Sequence, residues 1–405
     1  MELGNVKFNK ILLATWLGWL FDGLDSSLYP LVASKALGEL IGRNNPEFGW
    51  IAAKVLAIFL IGWALGGYLF GYLGDRIGRA RALSFSILTY AVFTGLSGLS
   101  HTWQELSIYR FLSGLGIGGE WALGVSLLAE SVMPQKRIQS SAILATGFPL
   151  GYILALAVNF LISPFGWRYV FLFGVLPALV VFYIRRNIKE PESWSSLKVK
   201  TKNPLEIFEK KYLYNLIVAF LLGVSMALGG WGCFTFWFPL WIERTLSGSL
   251  SEITLSTLTL MIGHTLGCYF TGNVLKRFTS RKALFFISFL VTFICAFLLY
   301  SSFHRYSPLI LIVVFVFGFA FGFIPSGFAI YFPELFPTKI RATAKGFCFS
   351  TCRILAALGV LFSGHLVQRF SGNIGKAAAL MSFIFLFGAI VSLFARETDG
   401  GKLPE

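Results

Sequence analysis

Apolar runs of bilayer-crossing length recur along the whole chain, and they decide what it can fold into. Six occupy residues 9–33, 49–74, 81–100, 104–131, 138–163 and 167–186; six more occupy 213–242, 252–275, 283–302, 307–333, 343–368 and 374–395. A helix needs roughly 20 apolar residues to cross the hydrocarbon of a membrane. Hydrophobic residues make up 56% of the chain and charged residues only 13%, about half the ~25% usual in a soluble domain. A water-soluble core cannot absorb so much apolar length. The predicted class is an all-α membrane protein with twelve transmembrane helices.

The formal charge of +15 does not point to nucleic acid, because no polar domain is present to carry such a surface. It follows instead from topology. Lys7, Lys10, Arg76, Arg79, Arg81, Lys136, Arg137, Arg185, Arg186, the 187–211 segment, Lys276, Arg277, Arg281, Lys282, Lys339, Arg341, Lys345, Arg396 and Lys402 gather on one side of the predicted spans. The other side holds only Lys35, Arg43, Lys54, Arg168, Arg244, Arg305, Arg369 and Lys376. The positive-inside rule then makes both termini and the central segment cytoplasmic in a multi-pass protein of the cell (inner) membrane, and an even span count agrees. The first run follows two lysines as a signal peptide would. It is too long and carries two aspartates, so a retained helix is expected. The cysteines at 233, 268, 295, 348 and 352 lack metal or disulfide spacing and are expected as small core residues; no metal site and no cofactor is predicted.

The two halves repeat. GYLFGYLGDRIGRARAL at Gly67–Leu83 aligns without gaps to CYFTGNVLKRFTSRKAL at Cys268–Leu284, an offset of 201. Glu130 precedes Arg137 as Glu334 precedes Arg341, an offset of 204. Two echoes at nearly one offset predict two parallel six-helix bundles, 1–186 and 212–405, joined by a charged linker at 187–211.

The loop after the second span reads GYLGDRIGRARA. Its glycines permit close approach, Asp75 can face a helix N-terminus, and Arg76 and Arg79 can pair with carboxylates. Glu130, Arg137, Glu334 and Arg341 stand at the same membrane face and are expected to join Asp75, Arg76 and Arg79 in closing the cytoplasmic side. A plain basic loop is the competing reading. The loop resembles the signature of the major facilitator superfamily, Gly-x-x-x-Asp-Arg-x-Gly-Arg-(Arg/Lys), matched by Gly71, Asp75, Arg76, Gly78 and Arg79, with Ala80 in place of the last basic residue. The resemblance covers essentially the whole chain. RFLSGLGIGGEWALG, EPESW and YFPELFPTKIRA resemble the branch related to sugar porters. GGEW and the Asp22/Asp25 pair look more like its metabolite:proton symporters, which include lactate, sialate and aromatic-acid carriers. The QLS-type motif of sugar porters is missing from the seventh span, which reads WGCFTFWFPLW.

Five charges fall at membrane depth. Counting ~1.5 Å per residue puts Asp22, Glu120 and Arg353 near the midplane and Asp25 and Arg110 at a shared height farther out. Three acids face two bases, and Arg remains charged at any working pH. A carboxyl desolvated without a partner takes a proton instead, which is the chemistry of proton coupling. The resemblance to proton-coupled sugar porters implies Asp25, within Gly23-Leu24-Asp25, as the proton carrier and Arg110 as the partner that tunes it; a static salt bridge is the alternative. Asp22 either pairs within its own half or carries the proton itself, and Glu120 has no firmer counterpart. Arg353 can grip a substrate carboxylate by two parallel hydrogen bonds, or pair with Asp22 or Glu120 across the halves. Trp231, His264, Tyr331 and Asn159 are further candidates to line the site, with Trp16, Trp19, Tyr29, Phe234 and Trp237 beside them.

No nucleotide-binding loop, His-rich metal cluster or nucleophile–base pair occurs at membrane depth, so neither an enzyme nor a primary pump is expected. The predicted function is proton-coupled symport of a small organic anion, a monocarboxylate or an aromatic or sugar acid, by a monomer that binds no nucleic acid and no nucleotide. A proton-coupled sugar or polyol carrier, with Arg353 structural, is the alternative.

Overall fold

The computed structural model describes residues 2–176, 188–197, 201, 203–278, 280–398, 400 and 403–404. Among them the regular elements are all helical. In chain order they are α1 (Glu2–Leu37), α2 (Phe48–Ile77), α3 (Arg79–Ser97), α4 (Trp103–Ser131), α5 (Pro134–Ala145), α6 (Gly147–Ile162), α7 (Trp167–Leu172) and α8 (Glu192–Ser195). The second part holds α9 (Lys210–Gly229), α10 (Trp237–Arg244), α11 (Leu250–Arg277), α12 (Arg281–Ser302), α13 (Leu309–Leu335), α14 (Arg341–Gly346), α15 (Arg353–Arg369), α16 (Ile374–Met381) and α17 (Phe383–Ser392). Nine helical stretches among the described residues are long and apolar enough to cross a membrane. They coincide with the predicted second, fourth, fifth and seventh to twelfth spans. The first and third spans are α1 and α3. The sixth begins as α7, and its part from 177 on lies outside the described residues, as do 187, 198–200 and 202 of the predicted linker.

Local chemistry sets the ends and the breaks. Thr102 caps α4 by accepting from the Glu105 amide at 3.1 Å, and Ser249 with Glu252 forms a reciprocal capping box on α11. The predicted fifth span is broken at Thr146 into α5 and α6, because Pro149 has no N–H to offer the carbonyl of Ala145. The seventh and eleventh spans each carry a π-helical stretch, Gly230–Phe236 and Phe347–Thr351.

Glycines bring the helix backbones into contact. A Cβ added at Gly62 or Gly66 of α2 would lie 2.2 or 1.9 Å from the carbonyl oxygen of Phe111 or Leu115 on α4. One at Gly263 or Gly267 of α11 would lie 2.4 or 2.0 Å from that of Phe315 or Phe319 on α13. The reverse contacts come from Gly114 and Gly118 on α4, and from Gly318 and Gly322 on α13. The first set is offset by 201 and the second by 204, the same two spacings as the sequence echoes. Thus α2 crosses α4 as α11 crosses α13, by the close small-residue approach that replaces hydrophobic driving force inside a bilayer. Between the two groups of helices, α2 packs on α14 and α15 while α11 packs on α5 and α6.

Candidate functional site

The N-terminal half buries an ion pair. Gly23 lets α1 lie against the Phe148 backbone, where a Cβ would meet the carbonyl oxygen at 2.1 Å. Two residues on, Asp25 receives Nη1 and Nη2 of Arg110 on its two oxygens, each at 3.1 Å. Ser113 donates to the same carboxylate at 2.9 Å and Thr94 at 2.5 Å. The shared height deduced for Asp25 and Arg110 is thus a direct, doubly bonded contact with both side chains fully buried.

Asp22 and Glu120 are different. Both are buried, and neither carboxyl finds a hydrogen-bond partner among the described residues. Glu120 rests on Gly18, one turn before Asp22 on α1, where a Cβ would sit 1.8 Å from its Oε1. Asp22 lies within electrostatic reach of Glu120, Asp25 and Arg353. The Tyr90 hydroxyl, also without a partner among the described residues, is near enough to feel all three acids.

Between the halves lies a cavity with an empty volume of about 740 Å³. Its walls carry the rings of Trp19, Phe148, Trp231, Phe234, Phe321 and Phe349. Arg353 is the one charged side chain among the described residues that line it, and Ser26, Ser27, Tyr152, Thr235 and His264 supply most of the remaining polarity. Both π-helical stretches contribute to the lining, as such widened turns often do at functional sites. Prolines shape it too. Pro30, Pro149 and Pro325 offer no N–H to the carbonyls of Ser26, Ala145 and Phe321, and all three of those residues line the cavity.

Arg353 departs from expectation. It makes no ion pair with Asp22 or Glu120. Its guanidinium carbon lies 4.1 Å from the Trp63 ring centroid and 4.5 Å from that of Phe349, and Nη1 donates to the Phe349 carbonyl. The aromatic faces hold the charge in place of an anion. Its Nε has no partner among the described residues. Two acids, rather than one, are therefore left without a base.

Of the other candidates, Trp231 and His264 line the cavity. Asp22 and Glu120 do not, because Glu120 is drawn onto Gly18 inside the N-terminal half. Tyr331 is in another place altogether. It lies one turn before the end of α13, and its hydroxyl donates to the Arg396 carbonyl at 2.8 Å. Asn159 sits on α6 about two turns beyond Tyr152 and takes no part in the lining. Phe148, Tyr152 and Phe349 were missed. Their only sequence signal is i, i+4 spacing, as in Phe148/Tyr152 and Phe349/Arg353, and a chain with 43 phenylalanines offers many such pairs.

The end of the molecule that carries the described chain ends is closed by a charged network. Glu130 accepts Nε and Nη2 of Arg79 at 3.0 and 3.1 Å and Nη1 of Arg341, from the other half, at 2.7 Å. Asp75 pairs with Arg79 at 2.8 Å and accepts the Ala342 and Thr343 amides at 3.2 and 2.8 Å, so it caps the start of α14 across the interface. Glu334 pairs with Arg281 at 3.0 Å and lies beside Arg137, whose Nε donates to the Ala129 carbonyl at 3.1 Å. Arg76 is exposed and has no ion pair among the described residues, since it points about 100° round the helix from Asp75. Lys276 and Arg277 are exposed too, and Glu334 uses Arg281 in their stead. Glu190 accepts the first amides of α3 at 3.2 and 3.1 Å, and Glu397 does the same for α12 at 2.8 and 3.2 Å.

Lys345 was read only as part of the basic face. It is fully buried and crosses from α14 to α4, where it donates to the Ala122 carbonyl at 3.3 Å and the Ser126 hydroxyl at 3.0 Å. Both acceptors are neutral. With Asp75 and Glu130 set against Arg79, Arg341 and Lys345, the closed network holds one excess positive charge. Replacing even a paired buried ion group by apolar residues of similar volume is often neutral or stabilising by about 1–4 kcal/mol, and Lys345 has no contacting acid to lose. Lys345→Met is therefore expected to raise the melting temperature by holding this end shut; unchanged melting would refute that role.

Comparison with known proteins agrees with this architecture. The model of the Major Facilitator Superfamily matches residues 14–360 and, a second time, 220–402. The cis,cis-muconate transport protein of Acinetobacter baylyi is 30% identical over 98% of this chain and 96% of its own length. The probable 4-methylmuconolactone transporter of Cupriavidus pinatubonensis is 29% identical, over 98% and 93%. The sialic acid transporter NanX of Escherichia coli is 28% identical, over 98% and 96%. Among solved structures the proton:xylose symporter XylE superposes with a TM-score of 0.83 at 20% identity, covering 99% of this chain and 98% of that one.

Proposed function

Because the chain belongs to the Major Facilitator Superfamily, a family of membrane transporters and not of enzymes, we propose that it is a secondary transporter that takes up a small organic acid together with protons. It works as a monomer of twelve transmembrane helices in the inner membrane, with both termini and the charged network on the cytoplasmic side. No cofactor is needed; the proton is the coupling ion.

One observation carries the acid reading. Arg353 is a fixed cation in an otherwise uncharged, aromatic cavity, and its Nε is left without a partner among the described residues. A carboxylate would complete it with charge-assisted bonds. The relatives named for muconate and sialic acid carry acids, which supports the same class here. Proton coupling rests on Asp22 and Glu120. Two buried carboxyls that no donor satisfies are costly to keep ionised together, which supports them as the groups that load and release the proton. Asp25 and Arg110 form the neighbouring pair that feels its arrival.

In the cycle, the cavity is reached from outside while the network of Asp75, Arg79, Glu130, Arg341, Arg281 and Glu334 is closed. Proton and anion enter, the combined charge falls, and the halves rock about the cavity until the network parts. The test is uptake into proteoliposomes of a panel of carboxylates and neutral sugars, with and without a proton gradient. Accumulation of a carboxylate that collapses when the gradient is dissipated supports the reading. Accumulation of a neutral sugar alone overturns the acid assignment, and gradient-independent accumulation overturns the coupling.

A further inference from the structure

We propose that His264 is a second polar anchor in the cavity, so that the substrate is an organic acid bearing a further hydrogen-bonding group, with a hydroxyl the best fit. The inference rests on Arg353 as the carboxylate anchor and goes on to specify what else the acid carries.

His264 is 4% exposed and lines the cavity, and neither ring nitrogen has a hydrogen-bond partner among the described residues. A neutral imidazole offers one donor and one acceptor, and a buried histidine in a structural role satisfies at least one of them inside the protein. Here the surroundings cannot. The ring is boxed edge-on by Phe234 and Phe321, with centroids at 5.5 and 5.2 Å and planes at 88° and 79°. Its backbone is fixed, because Gly318 and Gly322 press α13 against it; a Cβ at Gly322 would lie 2.3 Å from the His264 carbonyl oxygen. The imidazole is thus rigidly presented to an empty space with both nitrogens unused.

Phe321, whose ring stands beside it, brings a second polar group. The Phe321 carbonyl receives no amide from position 325, which is proline, and both residues line the same cavity. Imidazole and carbonyl together offer a donor and an acceptor. A hydroxyl answers both, accepting from the ring N–H while donating to the carbonyl. The aromatic neighbours of Arg353 are Trp63 and Phe349, and those of His264 are Phe234 and Phe321. The two sets share no ring, so the anchors occupy different parts of the wall and hold two separated groups of one ligand. A site built to hydrogen-bond a hydroxyl rejects an analogue that leaves its buried groups unpaired far more strongly than an apolar pocket rejects an added methyl.

The experiment measures binding of matched probes to purified protein by quenching of intrinsic tryptophan fluorescence. The three hydroxybenzoates are compared with the three methylbenzoates, and 4-hydroxybutyrate with pentanoate. The protein is expected to bind at least one hydroxy acid ten-fold or more tighter than its methyl counterpart. His264→Leu is expected to bring that ratio close to one, and His264→Gln, which keeps a donor and an acceptor, to retain part of it. An equal ratio in the unaltered protein, or a ratio that survives in His264→Leu, overturns the role of His264 while leaving the acid assignment standing. Failure of every carboxylate to bind overturns the Arg353 reading and this inference with it.

Discussion

Arg353→Gln is expected to abolish carboxylate uptake, and Arg353→Lys to lose most of it. The side chain is 3% exposed and its charge is stabilised by Trp63, Phe349 and one carbonyl, with no acid in contact. A substrate carboxylate would then be its only anionic partner in the cavity. Removing one member of a buried charge pair costs about 3–5 kcal/mol, at least a hundred-fold in affinity. Glutamine keeps a donor but not the charge. Lysine keeps the charge but is a compact, strongly hydrated ammonium that can neither lie on Trp63 as a plane nor bond a carboxylate by two parallel contacts. The loss should appear in substrate affinity, measured as Km for uptake or as Kd in detergent. An unchanged affinity in Arg353→Gln would mean that the arginine is structural, and a neutral substrate would regain its place.

The second large effect separates folding from coupling. Asp25→Asn should destabilise the protein by about 3–5 kcal/mol, because it strips the buried Arg110 of its counter-charge. Asp22→Asn and Glu120→Gln remove carboxyls that no donor satisfies, so their cost in melting temperature should be small. Transport should sort the other way. Both neutral variants are expected to catalyse exchange of labelled for unlabelled substrate across the membrane, yet to fail to accumulate it on a proton gradient, since the group that loads and releases the proton is gone. If both accumulate substrate as well as the parent protein does, the proton is carried elsewhere, with Asp25 the next site to test. If both melt as far below the parent as Asp25→Asn does, the two acids are structural partners.

What could be read in advance followed the variables that sequence controls. Position along an apolar run gives height in the membrane, so the sequence alone sets Asp25 and Arg110 at one level. The echo offsets of 201 and 204 were legible because the glycine crossings behind them recur at those spacings. Height says nothing about azimuth. Arg353, Asp22 and Glu120 share the midplane, yet one turns into the cavity and two turn into the N-terminal half. Tyr331 failed because a residue close to the end of a long helix stands at the closed end, far from the cavity. Lys345 failed for another reason: a lysine among basic neighbours reads as a solvated face until a second helix is seen to cover it. The broken fifth span was within reach, since Pro149 is plain in the sequence; the π-helical stretches left no comparable mark.

The chain end beyond α17 makes contacts of its own. Glu397 caps α12, Thr398 bonds Glu334, and the Pro404 carbonyl accepts from Arg341 at 2.7 Å and from the Thr338 amide at 3.2 Å. These contacts fasten residues 397, 398 and 404 to the groups that would part when this end opens in the proposed cycle. An affinity handle or fluorescent protein attached next to Pro404 would pull on that fastening and bias the kinetics it was meant to measure. A small environment-sensitive dye placed there would serve the opposite purpose, brightening or dimming with each release, and so give a direct optical count of how often the inner door opens.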